Sequence, residues 1–97
     1  MDGLNRDGLN KESNNYEDLK KLREDIDRID REILALFEAR MAKAVDVAQY
    51  KLANHLNITD QEREKKLLEK IGGMVDPRLK EHALILFQTI MDLSKQV

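Results

Sequence analysis

The chain has 97 residues, a formal net charge of -2, four aromatic residues (two Tyr, two Phe), one proline and no cysteine. That length leaves room for one small domain, and the missing cysteines exclude a disulfide framework and a thiolate nucleophile. The charge balance offers no basic footprint for nucleic acid, and 37% charged residues with few glycines is a helical composition in which β-structure is not expected.

Residues 1–15 are polar and contain a near-duplicate, Asp2-Gly3-Leu4-Asn5 and Asp7-Gly8-Leu9-Asn10. Such a segment buries too little apolar surface to offset its ordering entropy, so 1–15 is expected to be a disordered tail or a vector-derived leader. It has no secretory h-region, and no stretch approaches a membrane span, so a soluble, cytoplasmic protein is expected.

From about Tyr16 to about Asn54 there is neither glycine nor proline. Leu19, Leu22, Ile26, Ile29, Ile33 and Leu36 alternate steps of three and four, as one face of a helix must. At about 1.5 Å per residue that helix is roughly 58 Å long, about twice the width of an ordinary globule of this size. Half of its stripe would be bare in a monomer, and the economical repair is a second copy of the chain. A homodimer is expected.

Asn54-His55-Leu56-Asn57 breaks the pattern, and Thr59 with Glu62 reads as the capping box of a second helix. Leu67, Leu68 and Ile71 form its buried edge, and Gly72-Gly73 is expected to end it. Asp76-Pro77 then starts a third helix as N-cap and first position. Leu79, Ala83, Leu86, Ile90 and Leu93 give it an apolar stripe, broadened by Leu84, Phe87 and Met91. The architecture is therefore all-α: one very long helix and two shorter ones.

Two cations interrupt the long stripe. Arg40 and Lys51 stand where the pattern asks for apolar residues, and a cation there is costly unless an anion meets it. Eleven positions return the chain to within about 20° of the same face, with the two side chains roughly 16 Å apart along the axis. A small dianion fits between them; the alternative is that both snorkel to water.

Arg23 borders the same stripe roughly 25 Å of helix axis before Arg40, so the two reach one small ligand only if they come from different chains. The simpler alternative pairs Arg23 with Asp27 at i,i+4. Asp60, Arg63 and Glu64 share one face at the start of the second helix, where the helix dipole alone explains acidic residues. His55 and His82 match no metal spacing, and no phosphate loop or Ser-His-Asp arrangement is present.

Leu22-Arg23-Glu24-x-Ile26-Asp27-x-Ile29-Asp30, Ala39-Arg40-Met41, Tyr50-Lys51 and Asp60-x-x-Arg63-Glu64 together resemble the all-helical chorismate mutase family, over about Leu19 to Ser94. The resemblance implies a chorismate mutase domain over 16–97, an intertwined homodimer of three-helix subunits, and a cofactor-free, metal-free Claisen rearrangement of chorismate to prephenate in aromatic amino acid biosynthesis. It implies that Arg40, with Arg23 of the other subunit, binds the substrate carboxylates and that Lys51 donates to the ether oxygen. Asp60 and Glu64 match positions near the ring hydroxyl, Arg63 supports that network, and Ser94 matches a polar contact on the third helix. Lys51, Arg40 and Glu64 are the implied catalytic residues.

The resemblance has one departure. The family usually places a glutamine one turn after the serine position, which here falls just past Val97, and Gln96 is out of register with it. A chain cut short, a substitute group and a weak catalyst all fit that departure. Isochorismate pyruvate lyase, which shares the fold, and a non-catalytic regulatory dimerisation module stand as alternatives.

Overall fold

The computed structural model describes residues 11–97. Three α-helices follow one another, α1 (Lys11–Ala53), α2 (Gln61–Met74) and α3 (Lys80–Ser94), with a 3-10 turn at Pro77–Leu79 before α3 and no strand among the described residues. The chain divides into two compact units, one up to Glu38 and one from Ala39 to Val97.

Up to Glu38 the described chain is α1 alone. Residues 1–10 of the expected tail lie outside the described residues, but α1 begins at Lys11, five positions before the Tyr16 boundary. Once a helix is nucleated each added residue gains a hydrogen bond, and Lys11–Asn15 contains no glycine or proline to stop it. The stripe on this unit is bare, with Leu22 59%, Ile33 58% and Leu36 71% exposed. On the polar side Lys21 Nζ (2.9 Å) and Arg28 Nη1 (3.2 Å) both donate to Asp25 Oδ1. The bond from Lys21, ahead of that from Arg28, holds the Asp25 carboxyl below its ordinary range. No ion pair joins Arg23 to Asp27 among the described residues.

In the second unit α2 packs on α3. Leu67, Leu68 and Ile71 of α2 are half-buried as their spacing predicts, and so are Ala83, Leu84 and Phe87 of α3. Met91, at 5% exposure, is the one buried apolar side chain among the described residues. The stripe expected on α3 is turned: Leu79, Leu86 and Leu93 are 53%, 55% and 41% exposed. Leu84, Phe87 and Met91, which broaden the face, are covered, together with Ala83 and Ile90 of the stripe. Periodicity finds an apolar arc, while the neighbour decides which edge of it is covered.

Gly72-Gly73 does not end α2, which continues to Met74 and stops at Val75, in extended backbone with its N–H donating to the Ile71 carbonyl. A Cβ at Gly72 would lie 3.1 Å from Lys80 Cε and 3.7 Å from Leu84 Cδ2. A side chain there would ask only that the flexible end of Lys80 shift by a few tenths of an ångström, so the glycine, which costs about 1 kcal/mol of helix propensity, gives the Lys80 side chain room against α2. Asp76 caps the following turn as expected: its carboxylate accepts the Arg78 N–H at 2.9 Å and the guanidinium Nη2 at 2.8 Å. These bonds, the side-chain bond first, hold the Asp76 carboxyl below its usual range.

α1 ends in a Schellman arrangement. The Leu56 N–H donates to the Lys51 carbonyl at 2.8 Å and the His55 N–H to the Leu52 carbonyl at 3.3 Å, with His55 in the left-handed region at φ 58°. Histidine tolerates that region better than most residues but still bears the Cβ clash that glycine avoids. His55→Gly should therefore raise unfolding stability by about 0.5–1 kcal/mol, after allowing for the greater freedom of glycine in the unfolded chain. The check is urea denaturation at fixed protein concentration; an unchanged or lower midpoint would count against the strain.

Candidate active site

The end of α1, the start of α2 and the end of α3 enclose an open cavity of about 610 Å³. Arg40, Ala44, Ala48 and Lys51 of α1 line it, and the two alanines leave room between the two cations. Arg40 and Lys51 are both half-buried. Asp60, Arg63, Glu64 and Ser94 line the same cavity, so six of the seven sequence-predicted residues come together. Arg23 does not line it; it borders a hollow of about 240 Å³ in the first unit, with Tyr16, Lys20 and Asp27.

Local structure explains how each group is held. The loop after α1 folds back far enough for Lys51 Nζ to donate to the Ile58 carbonyl at 3.1 Å. That bond uses one of three ammonium protons and leaves two for a ligand. The N-cap of α2 is Asp60, not Thr59: Asp60 Oδ1 accepts the Arg63 N–H at 2.9 Å. An ionised carboxylate at that position makes a charge-assisted bond and suits the helix dipole, so it displaces the threonine of the expected capping box. Glu64, one turn further, is about three-quarters buried. Ser94 Oγ donates to the Met91 carbonyl at 2.7 Å, so toward a ligand it acts as an acceptor.

Five cations, Arg40, Lys43, Lys51, Arg63 and Lys95, face two carboxylates, Asp60 and Glu64. Among the described residues no carboxylate lies within 4.0 Å of the side chains of Arg40, Lys51 or Arg63. Such a wall attracts an anion, and Arg40 brings a planar fork suited to a carboxylate. A slightly larger hollow, about 660 Å³ between α2 and α3 beside Gly72, mixes Glu64 and Glu69 with Lys65 and Lys80 and has no such excess. Charge, not volume, singles out the first cavity.

Two features escaped the sequence. Lys95 lines the cavity and its Nζ lies 3.0 Å from Glu64 Oε2, although a lysine ending a helix reads as a partner of the dipole. The Ile58 carbonyl, as main chain, leaves no compositional mark.

A family model described as chorismate mutase type II matches residues 22–97. The chain belongs to that family. A bifunctional chorismate mutase/prephenate dehydratase of Enterobacter agglomerans is 47% identical over 53 residues, 55% of this chain and 14% of the relative. Its counterpart from Aquifex aeolicus (strain VF5) is 46% identical over 55 residues, 57% of this chain and 15% of the relative. The corresponding protein of Buchnera aphidicola is 41% identical over 57 residues, 59% of this chain and 15% of the relative. The chain thus spans only about 15% of the length of the curated relatives it matches. No solved structure matches the chain. Among the described residues no helix is long and apolar enough to cross a membrane, and no group of three or more His, Cys, Asp and Glu is placed to hold a metal ion.

Proposed function

We propose that this chain is a chorismate mutase, converting chorismate to prephenate for aromatic amino acid synthesis in the cytoplasm without a cofactor, and that it works as a homodimer. The observation that carries the reading is the cavity in which, among the described residues, Arg40 and Lys51 stand free of carboxylates while Glu64, Asp60 and Ser94 supply acceptors around them. A [3,3] rearrangement needs no base and no nucleophile. It needs the substrate held compactly and a fixed donor where charge develops.

In this reading Arg40 takes one substrate carboxylate and the partner subunit's Arg23 takes the other. As the ether C–O bond breaks and the new C–C bond forms, electron density gathers on the ether oxygen, and the two free Lys51 protons meet it. Glu64 and Asp60 accept from the ring hydroxyl, Arg63 balances their charge, and Ser94 adds a polar contact. The bare stripe of Leu22, Ile26, Ile29 and Ile33 supports the second copy, because an apolar surface of that extent is rarely left in water.

Purified protein should consume chorismate, followed by its absorbance, with prephenate as product. No turnover at millimolar substrate by an intact dimer would overturn the reading. Salicylate and pyruvate as products would replace it with lyase chemistry on the same fold.

A further inference from the structure

Lys95 is the C-cap of α3, where a cation is ordinarily explained by the helix dipole or by its own helix. Its geometry points elsewhere. Asp92, one turn back, lies 3.9 Å from Lys95 Nζ, whereas Glu64 of α2, 31 positions away in sequence, lies 3.0 Å from it through Oε2 and 3.3 Å through Oε1. Asp92 Oδ1 instead accepts from Gln88 Nε2 at 3.1 Å. Among the described residues this is the single side-chain to side-chain hydrogen bond that joins two different helices, and both partners line the cationic cavity.

The pair is poorly placed to serve stability. Lys95 is 51% exposed, and an ion pair open to water contributes little to folding. It is better placed to serve a ligand. Glu64 is a carboxylate in the wall of a cavity that otherwise collects anions, so by itself it repels the dianion that Arg40 and Lys51 attract. An ammonium spanning both of its oxygens cancels that repulsion. It also fixes the carboxylate while leaving further lone pairs free to accept.

We propose that Lys95 is a positioning residue of this site: it neutralises and orients Glu64, so that the cavity accepts a dianion and Glu64 receives the hydroxyl of that ligand. The proposal rests on the mutase reading. It makes Lys95 act through Glu64 and not on the ligand itself.

A double-mutant cycle tests this. Lys95→Met should raise KM for chorismate about five- to tenfold while changing kcat less than about twofold, the effect of one lost charge beside a dianion site. Lys95→Arg should stay within about twofold of the unmodified chain, since it restores a cation able to span a carboxylate. In a Glu64→Gln background, Lys95→Met should change KM by less than about twofold, because the group it serves is gone. Urea midpoints should be the same for the chain and Lys95→Met, and titration with prephenate should repeat the KM pattern in Kd.

An unchanged KM for Lys95→Met overturns the proposal. An equal KM penalty with Glu64 and with Gln at position 64 also overturns it, making Lys95 a direct ligand contact. If the unmodified chain neither converts chorismate nor binds prephenate, the mutase reading fails first and takes this proposal with it. A chain that is active but shows an additive cycle loses only the role given to Lys95.

Discussion

Lys51→Ala should lower the turnover of chorismate by roughly a hundredfold or more, the result of losing one preorganised donor worth about 3–4 kcal/mol in the transition state. The effect should fall mainly on kcat, because in the proposed reaction the charge assigned to Lys51 is small in the bound substrate and grows as the ether bond breaks. A lost carboxylate contact at Arg40 should instead weaken binding as well. Lys51 Nζ also holds the Ile58 carbonyl, so the variant loses an exposed hydrogen bond worth about 1 kcal/mol of stability. Circular dichroism and sedimentation should therefore accompany the kinetics, to show that helix content and assembly persist. Near-normal turnover by the variant would remove Lys51 from the chemistry.

Ile29→Glu with Ile33→Glu should dissociate the proposed dimer at micromolar concentration and abolish turnover. The two side chains are 47% and 58% exposed in the single chain and lie in the middle of the bare stripe. Full burial of an isoleucine contributes about 1.5–3 kcal/mol, and with about half of each side chain still exposed the four of them per dimer account for up to about 3–6 kcal/mol before the cost of burying carboxylates. That is about a quarter to a half of a nanomolar association, about 12 kcal/mol. Analytical ultracentrifugation reads the outcome directly; a variant that stays dimeric, or an unmodified chain that is monomeric, would displace the assembly from this face. Mixing Arg23→Ala with Lys51→Ala chains then tests sharing across the dimer. Half of the dimers become mixed and each has one intact site, so about a quarter of full activity should return. No recovery after exchange would remove Arg23 from the site that contains Lys51.

The helices and the cavity differ in how far the sequence revealed them. Proline-free, glycine-free periodicity marked α1, and two cations breaking that periodicity marked the cavity. Local chemistry was ambiguous where two adjacent residues suited one job: Thr59 and Asp60 are both good N-caps, and the charged one prevailed. Gly72-Gly73 resembled a stop because glycine commonly ends helices, yet α2 runs through both and ends only after Met74. On α3 the apolar arc was legible but not its covered edge, since that depends on α2. Lys95 was invisible because its partner is 31 residues away.

The loop after α1 is fastened to Lys51 twice, by the Leu56 N–H on the Lys51 carbonyl and by Lys51 Nζ on the Ile58 carbonyl. On the loop side both fasteners are main-chain atoms, which nearly any residue supplies. Apart from His55, whose left-handed backbone narrows the choice of residue, side chains from Asn54 to Ile58 are accordingly free to vary without moving the ammonium. An insertion or deletion is not, because it changes the span between the two ties. At this loop the protein is tolerant of spelling and intolerant of length.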